Sequence, residues 1–310
     1  MKLILKKRLF GILLITILAG SCFSDKEYIP VDFSQTVSVP KPQQKLNSQK
    51  QMRVAIAAMI SPKETFVYYQ DILQYLGKRI NFEIQLVQRK TYKEVNELFL
   101  TGEIDLAFIC SGPYALEQEK YEFDAIVTPV IRGGPFYQSY LIVNKNSNFY
   151  KLEDLRNRSF AFTDPNSNSG SLVPNYWLHN LGKRPESFFS STNYTYSHDN
   201  SILTVAKSLV DGAAVDGHKW EYFQQKDDTF TSQTRVIKKS QQFGSPPLVA
   251  SKNLSTLLRK SIQDILLSMH EEPEGNEILK NLLIDRFTKS EKEWYEPIKK
   301  MHRIVIRPEA

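Results

Sequence analysis

Residues 53–79 read RVAIAAMISPKETFVYYQDILQYLGKR, and two hydrophobic periods meet inside them. The first eight residues are almost wholly apolar, the pattern of a strand buried on both faces. From Ser61 the period lengthens to that of a helix. Ser61 stands at the N-cap, Pro62 at the first helical position and Glu64 three residues on, where it completes a capping box, and Gly77 closes the run. Residues 82–88, FEIQLVQ, then alternate as a strand, TYKEVNELFLTG (91–102) is amphipathic and ends on Gly102, and IDLAFIC (104–110) is again strand-like. Strand, helix, strand, helix, strand in succession predicts an α/β fold with a mostly parallel sheet.

Working back from this unit, residues 23–51 are polar and proline-containing, with too little apolar periodicity to pack. They read as a flexible tether. Before it, residues 1–21 have a basic start (Lys2, Lys6, Lys7, Arg8) and an apolar run from Leu9 to Leu18, the pattern of a secretory signal peptide. The run ends in LAGSC, which resembles the bacterial lipobox. That resemblance implies removal of 1–21, lipidation of Cys22 and a chain anchored to a membrane and facing the periplasm or cell exterior. A simple signal cut nearby, with Cys22 incidental, is the alternative. Cys22 and Cys110 are the only cysteines, so a lipidated Cys22 leaves Cys110 unpaired and buried, and no metal site can be built from cysteines alone. The net charge of +6 loses four basic residues with the signal and becomes about +2. No later Lys/Arg cluster marks a nucleic-acid partner.

Working forward, FYQSYLIVN (136–144) reads as a strand, KLEDLRNRS (151–159) as a short helix, and FAFTD (160–164) as a strand that runs into the polar PNSNSG. SILTVAKSLVDG (201–212) is an amphipathic helix and AAVDG (213–217) a short strand. SPPLVASKNLS (245–255) is extended, and two helices, about 255–270 and 275–283, follow it.

Several segments together resemble the substrate-binding proteins of phosphate/phosphite/phosphonate ABC importers: TGEIDLAFICSGPYA (101–115), YLIVNKNSNFYKLEDLRNRSFAFTDPNSNSGSLVP (140–174), SHD (197–199) and VDGAAVDG (210–217). The resemblance covers roughly residues 53–283. It implies a two-lobe periplasmic-binding fold of type II, each lobe a sheet flanked by helices, with two crossover hinge strands and the ligand in the cleft. Lobe one would be 52–138 with 240–310, and lobe two 139–239. It implies no cofactor, a monomer, a small phosphorus oxyanion as ligand and an ABC permease as partner. A lipid-anchored sensor of the same fold, signalling to a membrane partner such as a histidine kinase, is the alternative.

The residues agree with such a ligand independently. A strand leading into a helix at TDPNSNSG presents unpaired backbone N–H groups, and with the helix dipole these favour an anion. Ser167, Asn168 and Ser169 add neutral donors, and Gly170 admits close backbone approach. The family pattern is usually Ser-Thr-Ser-Gly, so Asn168 is a departure. The resemblance, in turn, implies His198, which matches the family's loop histidine, as a candidate donor, with a structural loop role as the alternative. It implies Asp216 as an acceptor for a protonated oxygen or a ligand amine, with a helix N-cap or hinge salt bridge as the alternative. Ser111 and Tyr69, which align with cleft-facing positions, are the candidates it implies from lobe one. Tyr114 is expected to pack. FGSPP (243–247) lacks the acidic residue that aminophosphonate-binding relatives tend to carry, which favours a ligand without an amine. No nucleophile elbow or metal-ligand spacing suggests an enzyme. The tail 291–310 is expected to cover lobe one rather than to bind a partner.

Overall fold

The computed structural model describes residues 50–306. The signal, Cys22 and the tether up to residue 49 lie outside the described residues. Lys50 and Gln51 already belong to a strand, two residues earlier than their polar composition suggests. The first strand, β1 (Lys50–Ile56), is followed by α1 (Pro62–Ile80), β2 (Phe82–Gln88), α2 (Tyr92–Leu100) and β3 (Leu106–Phe108), so the alternating pattern of the opening segment is real. β1 pairs parallel with β2 on one side and β3 on the other.

The chain continues through α3 (Ser111–Tyr121) and β4 (Phe123–Val130) and crosses to a second sheet by β5 (Phe136–Tyr137). That sheet is built from β6 (Ser139–Asn144), β7 (Ser159–Phe162), α4 (Val173–His179), β8 (Ser191–Tyr194), α5 (His198–Ala206), β9 (Gly212–Asp216), α6 (Gly217–Lys226) and β10 (Thr234–Lys239). The chain returns by β11 (Phe243–Gly244) and ends with β12 (Leu248–Ser251), α7 (Thr256–Ser268), α8 (Pro273–Asn281), β13 (Arg286–Thr288) and α9 (Glu296–Val305). The first sheet has the order β13-β4-β12-β3-β1-β2 and the second β10-β6-β9-β7-β8, while β5 and β11 pair antiparallel as the two crossover strands.

Most strands of each sheet run one way, as expected; the exceptions are β12, antiparallel to β3 and β4, and β13, antiparallel to β4, in the first sheet, and β6, antiparallel to β9 and β10, in the second. Three smaller expectations need correction. Gly77 does not end α1. The helix runs on to Ile80 and closes at Asn81 in the left-handed conformation, φ 56°. Gly77 is needed instead because β2 passes so close that a Cβ there would meet Ile84 Cγ1 and the Phe82 carbonyl oxygen at 2.9 Å. Ser61 makes no side-chain cap; the capping box sits at the next helix, between Thr91 and Glu94.

One apolar core lies under α1 and α7, with Met52, Ile72, Leu76, Phe108 and Leu266 fully buried. A second begins at Phe99, Tyr114 and Phe123, passes the hinge at Tyr137 and Phe243, and continues to Leu141, Phe160 and Trp177. Tyr114 packs, as expected, edge-on to Tyr295. The C-terminal helix α9 joins this second core through Ile298 and Met301 and packs on both α3 and α4. The tail, as far as residue 306, therefore packs on both lobes instead of covering only the first.

Candidate functional site

β7 ends at Phe162, and after a turn the chain enters one wide π-helical turn, Asn168–Leu172, before α4 begins. Ser167, Asn168 and Ser169 are buried but do three different things. The Ser167 hydroxyl oxygen accepts from the Gly170 amide at 3.0 Å and caps the turn. Asn168 donates its Nδ2 to the Tyr137 hydroxyl at 2.9 Å. Its Oδ1 is left unpartnered. Ser169 has an unpartnered hydroxyl, and its amide precedes any carbonyl the helix can offer. Gly170 serves packing rather than ligand approach, since a Cβ would fall 2.3 Å from Thr163 Oγ1.

His198 opens α5 and is buried. Its Nδ1 accepts the Asp216 backbone amide at 3.1 Å and faces Thr163 Oγ1 at 3.2 Å. An Nδ1 that accepts a backbone N–H leaves the ring proton on Nε2, so His198 is a neutral donor. Burial, with the Lys219 charge nearby, lowers its pKa to about 3. Asp216 ends β9 and caps α6, its Oδ1 accepting the Lys219 amide at 3.2 Å. Burial lifts this carboxyl to about 6 against the opposing pull of Lys219.

From the first lobe, Tyr69 packs on Phe108, and the Lys219 ammonium stands 5.8 Å from its ring centre. Burial raises that phenol to about 12. Ser111 does not offer a free proton, because its hydroxyl donates to the Gly244 carbonyl of the returning hinge strand at 2.7 Å. Tyr92 opens α2 and is fully buried with an unpartnered hydroxyl. Burial raises its pKa, and Cys110, Asp164 and Asp216 lie near enough to add to the rise. Around this group the lobes touch directly. The His198 amide donates to the Met59 carbonyl at 3.0 Å, the Ser61 amide to Asp199 at 2.9 Å, and the Tyr92 amide to Asp164 at 3.1 Å.

Residues 54–295 match the family model described as ABC transporter, phosphonate, periplasmic substrate-binding protein. The chain belongs to this family. Within it, the chain is 26% identical over 240 residues to the phosphonates-binding periplasmic protein of Escherichia coli K12, covering 76% of this chain and 70% of that protein. It is 24% identical over 240 residues to the probable ABC transporter phosphite binding protein PhnD1 of Prochlorococcus marinus, covering 74% and 80%. A binding protein component of an ABC phosphonate transporter from Pseudomonas aeruginosa shares the fold at TM-score 0.78 and 24% identity, covering 83% of this chain and 87% of that one. The two lobes of sheet and helix are those of periplasmic binding proteins, and the family's members are transport components rather than enzymes.

For this phosphonate-family chain, the structure buries Asn168, Ser169, His198 and Asp216 on the side of the second sheet and Tyr69 on the side of the first. It turns Ser167 to capping and Ser111 to the hinge. Sequence reading passed over Tyr92, Tyr137 and Lys219. Tyr92 and Lys219 were within reach of it, since each sits in the first turn of a helix that follows a strand's carboxyl end, where open α/β sheets bind ligands. Among the described residues no cluster of metal-binding side chains occurs and no helix is long and apolar enough to cross a membrane.

Proposed function

We propose that this protein is an extracytoplasmic lipoprotein that captures a phosphorus oxyanion (phosphate, phosphite or a small alkylphosphonate) between lobe one (52–138 and 240–310) and lobe two (139–239), and delivers it to an ABC permease. One observation carries the ligand class. Tyr92 and Ser169 keep buried hydroxyls without partners, one from each lobe, and the buried His198 keeps its ring proton on Nε2. Buried polar groups are normally satisfied, and neutral donors of this kind suit an oxyanion desolvated between two lobes. The ligand names of the relatives, phosphonate and phosphite, agree with it. The anchor rests on LAGSC ending at Cys22.

Purified protein should melt at a higher temperature with phosphate, phosphite or methylphosphonate. A ligand held at one hundred times its Kd adds about 2.7 kcal/mol of stability. No shift and no calorimetric heat across these anions would sink the ligand class. The anchor is tested separately: Cys22→Ser should move the protein from the membrane fraction to the soluble one, and unchanged membrane association would refute it.

A further inference from the structure

Lys219 is the outlier of the cleft. It lies in the first turn of α6, where the helix dipole disfavours a cation, and it is only 8% exposed. Among the described residues no carboxylate forms an ion pair with it, although Asp216, three residues before it, lies near enough for each charge to act on the other. Its ammonium instead sits 4.1 Å from the centre of the Tyr68 ring and 5.8 Å from that of Tyr69. Two tyrosine faces beside a buried carboxylate form a seat for an ammonium ion. Here the chain supplies that ion itself.

We propose that Lys219 occupies, with the chain's own ammonium, the place a ligand's amine would take, so that the cleft accepts phosphorus oxyanions without an amine and turns aminoalkylphosphonates away. This rests on the oxyanion reading above. A second ammonium brought to the same seat meets a like charge in a desolvated space. There repulsion is weakly screened, and the tyrosine faces are already covered by Lys219.

The matched pair ethylphosphonate and 2-aminoethylphosphonate tests this by calorimetry on the full chain. The wild type should bind ethylphosphonate tighter by about tenfold or more, the scale on which an unfavourable buried charge pair acts. Lys219→Ala vacates the seat and should narrow that ratio by about tenfold or reverse it, while Lys219→Arg keeps the charge and should preserve the preference. Should the alanine variant fail to fold, Lys219→Met keeps the apolar stem and removes the charge, and the ratio should still narrow. Equal binding of the two ligands by the wild type would overturn the proposal. So would variants that melt at a lower temperature but keep the wild-type ratio, which is the result for a lysine that merely balances Asp216. If neither ligand binds, and phosphate, phosphite and methylphosphonate also fail, the oxyanion reading falls and this inference with it. If the anions bind but the ratio ignores residue 219, the inference falls alone.

Discussion

Ser167 and Ser169 have the same side chain two positions apart, and their partners separate them. Ser167 is bound to the Gly170 amide, so Ser167→Ala should cost about 1 kcal/mol of stability, the usual loss for an N-cap, and show in denaturant melts. Ser169 has no partner to lose. Ser169→Ala should leave the melt within about 0.5 kcal/mol and weaken oxyanion binding roughly tenfold, the worth of one charge-assisted hydrogen bond. Equal effects of the two changes on binding would remove the distinction. Asp216 adds a pH signature. Its folded pKa of about 6 lies above its ordinary value of 3.8, so the folded state holds the proton more tightly. The stability this contributes is present below about pH 4 and lost as pH rises through 6. His198, depressed to about 3, works oppositely, losing stability as pH falls. Asp216→Asn keeps the cap and removes only the acidic component, so its stability curve should lack the fall between pH 4 and 6 that this group gives the wild type. Parallel curves for the two proteins would show that the carboxyl is not perturbed.

Helices and strands were legible where one period ran long enough. The opening β1–α1–β2–α2–β3 run was readable because burial on both strand faces and on one helix face leaves two different spacings. Ends were less legible. Gly77 looks like a stop, and only the neighbouring strand, whose Phe82 carbonyl and Ile84 side chain press on it, reveals an interior position. Gly77→Ala should therefore destabilise by about 1–3 kcal/mol, the cost of overpacking, although alanine is the better helix former. A stabilised variant in thermal melts would show that β2 leaves room at this position and that Gly77 is not required by packing. The π-helical turn at Asn168–Leu172 carries no sequence period of its own. It exists because Ser167 caps the turn and Gly170 packs on Thr163.

For the whole molecule, the decisive contact is where α3 of the first lobe meets the 166–168 turn of the second. A Cβ on Gly112 would stand 2.6 Å from the Asn166 carbonyl oxygen and 3.1 Å from the Asn168 amide nitrogen. Gly112→Ala should hold the lobes apart and weaken ligand binding at least about tenfold through the lost closed population. X-ray scattering should show that the variant, unlike the wild type, does not contract when ligand is added. Full contraction with wild-type affinity would show that the lobes close without this approach.

The sequence by itself determined the α/β alternation, and its motifs carried the resemblance to phosphonate-binding proteins. It also brought out the polar stretch 163–170, because periodicity and local capping chemistry act between near neighbours in the chain. Only the tertiary structure decided which polar groups keep hydrogen-bonding capacity unspent. Ser111 is drawn to a hinge carbonyl 133 residues away, Asn168 turns its donor to Tyr137, and Lys219 rests on two tyrosines of the opposite lobe. A side chain's free hydrogen-bonding capacity is what remains after its distant partners are served, and those partners are fixed by the packing of the lobes.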